Sequence, residues 1–331
     1  MILGKPRPSA KHNSQPGPLK KKQYFGTASS GSSPIRLPFL DKIRGGNRSS
    51  EETESARRSQ TPRGSGPGSI QDLQCSIAQN TGPKQTARNR PGYPRLGFIL
   101  YSMIENQQNR ARELLRAQNC AQALFDEIET LGLMRPGISE SVLNAEIYAL
   151  AEKMFGVTKY WHKRIVRAGK NTLLPYDENP PDLTLGDDDI LFLDLGPVFE
   201  EWEADFGRTF VLGSDPVKHK MRRDVGEAFA AGKKYFEEHP DIQADELFQY
   251  TVELAANFGW EFGGPIAGHL VGQFPHERIP QDKITLYVHP ENPRPMRALG
   301  ADGEPRHWIL EIHFVDRARQ IGGFYEELLT I

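Results

Sequence analysis

The sequence predicts an α+β domain of two similar halves, each a pair of helices followed by strands, with the helices covering one face of a curved antiparallel sheet. Three observations predict it. Helical and strand-like periodicities follow one another in the same order twice. Helix-starting and helix-stopping residues stand at the ends of the periodic stretches. The composition also changes abruptly near residue 96, which separates the domain, residues 97–331, from what precedes it.

Residues 1–96 hold 17 Lys and Arg against 5 Asp and Glu, whereas residues 97–331 hold 24 against 38. The first stretch is a basic, Ser/Pro/Gly-rich tail without helical or strand periodicity. Such a composition does not bury enough apolar surface to offset its conformational entropy, so the expectation is disorder. Its Lys20, Lys21 and Lys22 read as a solvated charge run rather than a nuclear address. The acidic remainder would repel a phosphate backbone, which argues against a nucleic-acid partner. No apolar run is long enough to span a membrane. Two cysteines, Cys75 and Cys120, offer neither a disulfide framework nor a thiolate zinc site, and they fit a reducing, cytoplasmic location.

The elements follow in order. Leu114, Ala117, Ala121, Phe125 and Ile128 step by three and four residues and form one face of a helix, with Gly132 suited to its C-terminal cap. Leu143, Ile147, Leu150 and Met154 form the next face, between Ser139 as N-cap and Gly156 as stop. Ile190–Leu195 reads as a short buried strand, and Phe199–Val211 as a loosely alternating one ending at Gly213. Ser214-Asp215-Pro216 then opens a third helix, with Val217, Met221, Val225, Ala228, Gly232 and Tyr235 on one face. A fourth carries Leu247, Thr251, Leu254 and Phe258 and stops at Gly259. Strand-like sequence returns at Ile266–Val271, Thr285–Val288, Trp308–Val315 and Gly323–Ile331.

Five residues in these strands carry chemistry. Asp194 and Asp205 stand eleven apart, so a chain reversal near Phe199–Glu200 would bring two like charges across a hairpin, a destabilising arrangement that a divalent cation would relieve. Two solvated strand-end aspartates are the alternative. His269 lies in the glycine-lined stretch Gly264–Gly272, which allows close backbone approach; a structural histidine is the plainer reading. Glu311 interrupts the apolar strand Trp308–Phe314, where a buried carboxylate is costly unless paired or metal-bound, and an edge strand would expose it instead. Of Glu326 and Glu327, one should point inward and the other outward. His276, in Pro275-His276-Glu277, reads by itself as a loop histidine.

The order Asp194, Asp205, His269, Glu311, Glu326 resembles the pita-bread metallopeptidases, the family of methionine aminopeptidase, aminopeptidase P, prolidase and the metal-free creatinases. Arg167–Asn179 is similar to the aminopeptidase P–prolidase branch, although that branch has a His where this chain has Pro175. The resemblance spans roughly residues 108–331 and implies a single pita-bread domain. It further implies that Asp194, Asp205, His269, Glu311 and Glu326 hold two divalent metal ions. His276 would contact substrate, and Glu311 would take a proton from the attacking water while remaining a ligand. Four carboxylates and one imidazole favour Mn²⁺, with Co²⁺, Fe²⁺ or Zn²⁺ as alternatives. The implied activity is hydrolysis of short peptides, of aminopeptidase or Xaa-Pro dipeptidase type, through a metal-activated water. A homodimer is left open. The competing reading is an impaired pita-bread domain that binds peptides or proteins; a creatinase-like amidine hydrolase ranks below both.

Removing residues 1–96 should leave a chain that unfolds in one cooperative transition and still binds metal, because the tail supplies no core. Thermal unfolding and a metal titration of the shortened chain check this; insoluble or non-cooperative protein would show that the boundary is misplaced.

Overall fold

The computed structural model describes residues 95–275, 284–300 and 303–331, with side chains from residue 106 onward. Apart from its last two residues, the tail expected from the sequence lies outside the described residues.

Helix α1 (Arg95–Thr130) begins within that expected tail and buries the predicted face, Leu114, Ala117, Ala121, Phe125 and Ile128. It ends where Gly132 adopts the left-handed conformation (φ 62°) and the Leu133 amide closes back on the Ile128 carbonyl. Helix α2 (Glu140–Phe155) starts at Ser139, whose hydroxyl accepts from the Val142 amide, and stops at Gly156 (φ 67°). A short strand, β1 (Ile165–Ala168), and a 3₁₀ turn at Gly169–Leu173 follow. Sequence periodicity does not disclose either, because four residues are too few to show an alternation.

Strand β2 (Ile190–Leu195) matches its expected limits. The expected strand at Phe199–Val211 is instead three pieces: β3 (Val198–Phe199), β4 (Trp202–Glu203) and β5 (Phe206–Val211). The break is at Glu200, which takes a positive φ of 58° and turns β3 back onto β4. Helix α3 (Pro216–Glu238) is capped by Asp215, whose carboxylate accepts from Val217 and Lys218, with Pro216 in the first turn. Helix α4 (Ala244–Phe258) ends at Gly259 (φ 84°). Strands β6 (Glu261–Phe262), β7 (Leu270–Val271), β8 (His307–Asp316) and β9 (Ile321–Leu328) complete the chain. Thr285–Val288 is not a strand: Ile284–Leu286 forms a 3₁₀ turn, and the residues after it meet the His269 segment through the Tyr287–His269 bridge and the backbone bonds of Val288 with Ala267 and Gly268.

The strands pair antiparallel in the order β1-β2-β5-β9-β8-β6, with β7 against β8. Each half buries its own core against one face. Under α1 and α2 lie Leu191, Leu193 and Leu195 of β2 with Phe206 and Phe210 of β5; under α3 and α4 lie Trp308, Leu310, Ile312 and Phe314 of β8. The opposite face therefore carries the intervening residues. The halves meet where β5 pairs with β9 through Gly207 and Glu326. Beyond that pair the Thr209 hydroxyl bridges the strands, donating to the Phe324 carbonyl (2.8 Å) and accepting from the Phe324 amide (2.6 Å).

Gly207 decides how closely the halves approach. A Cβ there would lie 2.5 Å from the Phe324 ring and 3.1 Å from the Glu326 Cβ. Gly207→Ala should therefore lower stability by about 1–3 kcal/mol, the usual cost of overpacking. It should appear as a lower denaturant midpoint at unchanged slope; an unchanged midpoint would mean that the seam is looser than described.

Candidate metal centre

The ladder places the acids in one row. Asp194 on β2 pairs with Gly207 on β5, Gly207 with Glu326 on β9, and Glu326 with Glu311 on β8. Paired residues point to the same face, so three carboxylates gather around the gap left by Gly207. Asp205 joins them from just before β5. Since Asp194 faces Gly207, Asp205 is its diagonal neighbour rather than the directly opposed partner expected from a simple hairpin. The small β3–β4 hairpin takes up the difference.

His269 reaches the row from the segment beside β8. Its carbonyl accepts from the Ile309 amide (2.8 Å), and Ala267 and Gly268 exchange backbone bonds with Val288. Gly268 (φ 141°) would place a Cβ 2.1 Å from the Ile309 carbonyl oxygen, so a side chain there would push this segment off the strand. The His269 Nδ1–H donates to the Leu270 carbonyl (2.8 Å). That leaves Nε2 facing Asp205 at 2.9 Å, Glu311 at 3.6 Å and Glu326 at 3.7 Å.

Glu326 and Glu327 separate as alternation requires. Glu326 turns into the row, with its side chain 3% exposed. Glu327 turns to the helical face and pairs with Arg208, whose guanidinium lies between the Phe206 and Tyr325 rings, 3.7 Å from each centroid. His276 lies outside the described residues. Pro175 belongs to a loop tied down by Arg167, which donates to the carbonyls of Leu174, Pro175 (2.8 Å) and Glu178 (2.9 Å).

The structure also brings in His162, just ahead of β1, which the sequence reading left unassigned. Its Nε2 lies 3.2 Å from Asp205 and 3.6 Å from Asp194. The short β1–β2 ladder puts it there: Ile165 pairs with Asp194, and the Trp161 amide bonds to the Gly196 carbonyl. Recognising Ile165–Ala168 as a strand against β2 is the step that would have found it.

Two overlapping groups of close donor atoms result, His162–Asp194–Asp205 and Asp205–His269–Glu326, and Asp205 belongs to both. The donors fit divalent cations. Two buried acids elsewhere in the fold are satisfied: Glu140 accepts from the Ala168 and Leu183 amides and from Asn171, and Asp224 from the Trp260 indole and Lys220. Glu326 Oε2, in contrast, is buried with no hydrogen-bond partner among the described residues. An oxygen-rich set with one such open lone pair suits a hard cation.

The electrostatics agree. Burial, with Asp205 and Asp194 nearby, raises Glu311 and Glu326 above the usual carboxylate range. Burial likewise raises Asp194. Asp205 is also penalised by burial, but His162 and His269 overcome it and hold it ionised. Burial opposes the charged form of His162, and Asp205 and Asp194 outweigh it, raising the ring to about 9. In the metal-free chain the raised carboxyls bind protons in the folded state that the unfolded state has released. The raised histidine stabilises fully below its unfolded value near 6.5 and loses that effect as pH rises through about 9. Both signs agree, and above about pH 7 the lowered His307 and His313 are neutral folded and unfolded alike, so metal-free stability should fall from about pH 7 to pH 9. Divalent ions need the ligands deprotonated, so the stabilisation they add should grow over the same range. Thermal unfolding in chelator and in Mn²⁺ across that interval tests both; a metal-free midpoint that rises with pH would contradict the assignment.

The model of metallopeptidase family M24 matches residues 112–298, a stretch that includes Asp194, Asp205 and His269 and ends before Glu311 and Glu326. Among curated proteins, the chain is 30% identical over 145 residues to an Xaa-Pro dipeptidase of Pyrococcus horikoshii, covering 42% of this chain and 40% of that protein. It is 26% identical over 216 residues to an Xaa-Pro dipeptidase of Pyrococcus furiosus, covering 57% of this chain and 61% of the relative. The chain thus spans less than two thirds of either relative. Among solved structures, an X-Pro aminopeptidase from Thermotoga maritima superposes with a TM-score of 0.54 at 20% identity, over 68% of this chain and 61% of that one, which shows a shared pita-bread fold. With more than half of its residues matched by the family model, this chain belongs to metallopeptidase family M24.

Proposed function

We propose that the protein is a dinuclear-metal hydrolase of short peptides, with Xaa-Pro dipeptides and X-Pro peptides as its first candidate substrates. One observation carries the metal-dependent reading: Asp194, Asp205, His269, Glu311 and Glu326 converge from different strands and the segments beside them on one buried spot, with Asp205 common to two donor groups. The named activity of the two Pyrococcus relatives supports the peptide substrate.

In this reading Asp205, His269, Glu311 and Glu326 hold one ion, and Asp194 and Asp205 hold the other. Divalent ions bound there would supply Lewis acidity toward a peptide carbonyl and make a water acidic enough to ionise near neutral pH, and the oxygen-rich donor set favours Mn²⁺. The protein's own groups divide the remaining tasks. Asp205, held ionised, keeps negative charge between the two positions. His269 is fixed with Nε2 inward by its bond to Leu270. Glu311 has a side chain 16% exposed, against 3% for Glu326, so it faces the approach to the site. That position suits it to accept a proton from the attacking water and return it to the leaving amine. His276 would hydrogen-bond the peptide.

With Mn²⁺ added, the wild-type chain should release the N-terminal residue from X-Pro dipeptides and tripeptides. Glu311→Gln should lower kcat by roughly 10²–10⁴-fold, the usual contribution of a positioned acid–base group. Elemental analysis run alongside reports whether metal is bound. Equal background rates from both proteins, with two metals bound, would overturn the peptidase reading and favour a binding role.

A further inference from the structure

The two imidazoles of the centre are held in the same way. His269 donates through Nδ1 to the carbonyl of the next residue, Leu270 (2.8 Å), and turns Nε2 to the acids. His162 donates through Nδ1 to the carbonyl of its own next residue, Lys163 (2.7 Å), and turns Nε2 to Asp205 and Asp194. A backbone acceptor on one ring nitrogen is the usual device for fixing the tautomer that offers the other nitrogen to a metal. The ring is enclosed, with a side chain 7% exposed. The Trp161 ring lies against both imidazoles, with centroids 4.5 Å from His162 and 5.0 Å from His269. Space for His162 depends on Gly196, where a Cβ would fall 2.1 Å from the imidazole carbon Cδ2 and 2.3 Å from Nε2.

We propose that His162 is a ligand of the cation held by Asp194 and Asp205, so that each of the two metal positions has one imidazole. This rests on the metal-dependent reading above and adds a nitrogen donor to the half that the sequence pattern leaves with carboxylates alone. Asp205 then lies between two half-sites, Asp194 with His162 on one side and Glu311 and Glu326 with His269 on the other, each histidine fixed by the carbonyl of its next residue.

The test is a calorimetric titration of the full-length wild-type chain and His162→Gln with Mn²⁺, paired with visible spectra of both proteins loaded with Co²⁺. The wild type should take up two ions. In His162→Gln, the affinity for one of them should fall by roughly tenfold or more, the loss that even a group behind a ligand produces. The Co²⁺ ligand-field bands of that ion should also change with the loss of a nitrogen donor. Two ions bound with wild-type affinity and an unchanged Co²⁺ spectrum would overturn the proposal and leave the metal-dependent reading intact. A wild-type chain that binds no metal would overturn both. Should His162→Gln not fold, the wild-type protein decides by ¹⁵N NMR on addition of Zn²⁺. Displacement of the assigned His162 and His269 Nε2 resonances together supports the proposal; a His162 resonance that stays in place while that of His269 moves overturns it.

Discussion

The accumulation of negative charge in a dry place is the constraint on which this structure turns. Four carboxylates stand around one point of the sheet, and all four are driven toward burial by the same strands that build the core. Directly opposed acids such as Glu311 and Glu326 repel, and Glu326, its side chain 3% exposed, cannot recover its hydration. Two histidines neutralise part of the charge, which keeps Asp205 ionised, yet Glu326 retains an oxygen without a partner among the described residues. Glu140 and Asp224 show that this fold can satisfy a buried acid with amides, an indole or a lysine when that is what the position requires. At the centre it provides few donors, and divalent cations are the counter-charge that suits what is left.

The backbone makes this concentration of charge possible. Antiparallel register carries Asp194, Glu326 and Glu311 into one row across four strands, and the one position in that row without a side chain, Gly207, provides the room. The same glycine lies at the seam between the halves, so joining the halves and assembling the centre are one event. Thr209 bonds across the seam next to it, and Arg208 uses the helical face to bind the Glu326 carbonyl and the Glu327 carboxylate. Glu326 is thereby fixed from both sides of the sheet.

A second layer steadies the segment before β2. Glu140, at the start of α2, accepts from the Ala168 amide and from Asn171, and Thr172 holds the Gly322 amide and the His313 ring on β8. Burial lowers His313 to about 4, so it sits there neutral and adds no charge beside the acids. This anchoring keeps β1 registered on β2, and through that register it determines where His162 and Trp161 stand.

The sequence by itself determined the helices, the two-half order and the five-residue pattern. Those depend on local features: a buried stripe every three or four residues, an N-cap at Ser139 or Asp215, a stop at Gly156 or Gly259, and an acid inside an apolar strand. Strict alternation was also enough to require that Glu326 and Glu327 face opposite ways, but which of them turns inward depended on pairing with β8. Tertiary structure alone decided the rest. The β3–β4 hairpin, the diagonal rather than opposed relation of the two aspartates, and the 3₁₀ turn at Ile284–Leu286 follow from contacts distant in sequence. His162 is the clearest case. Its position comes from a four-residue strand paired with residues some 23 to 29 places later, and so short a ladder leaves no periodic trace in the chain.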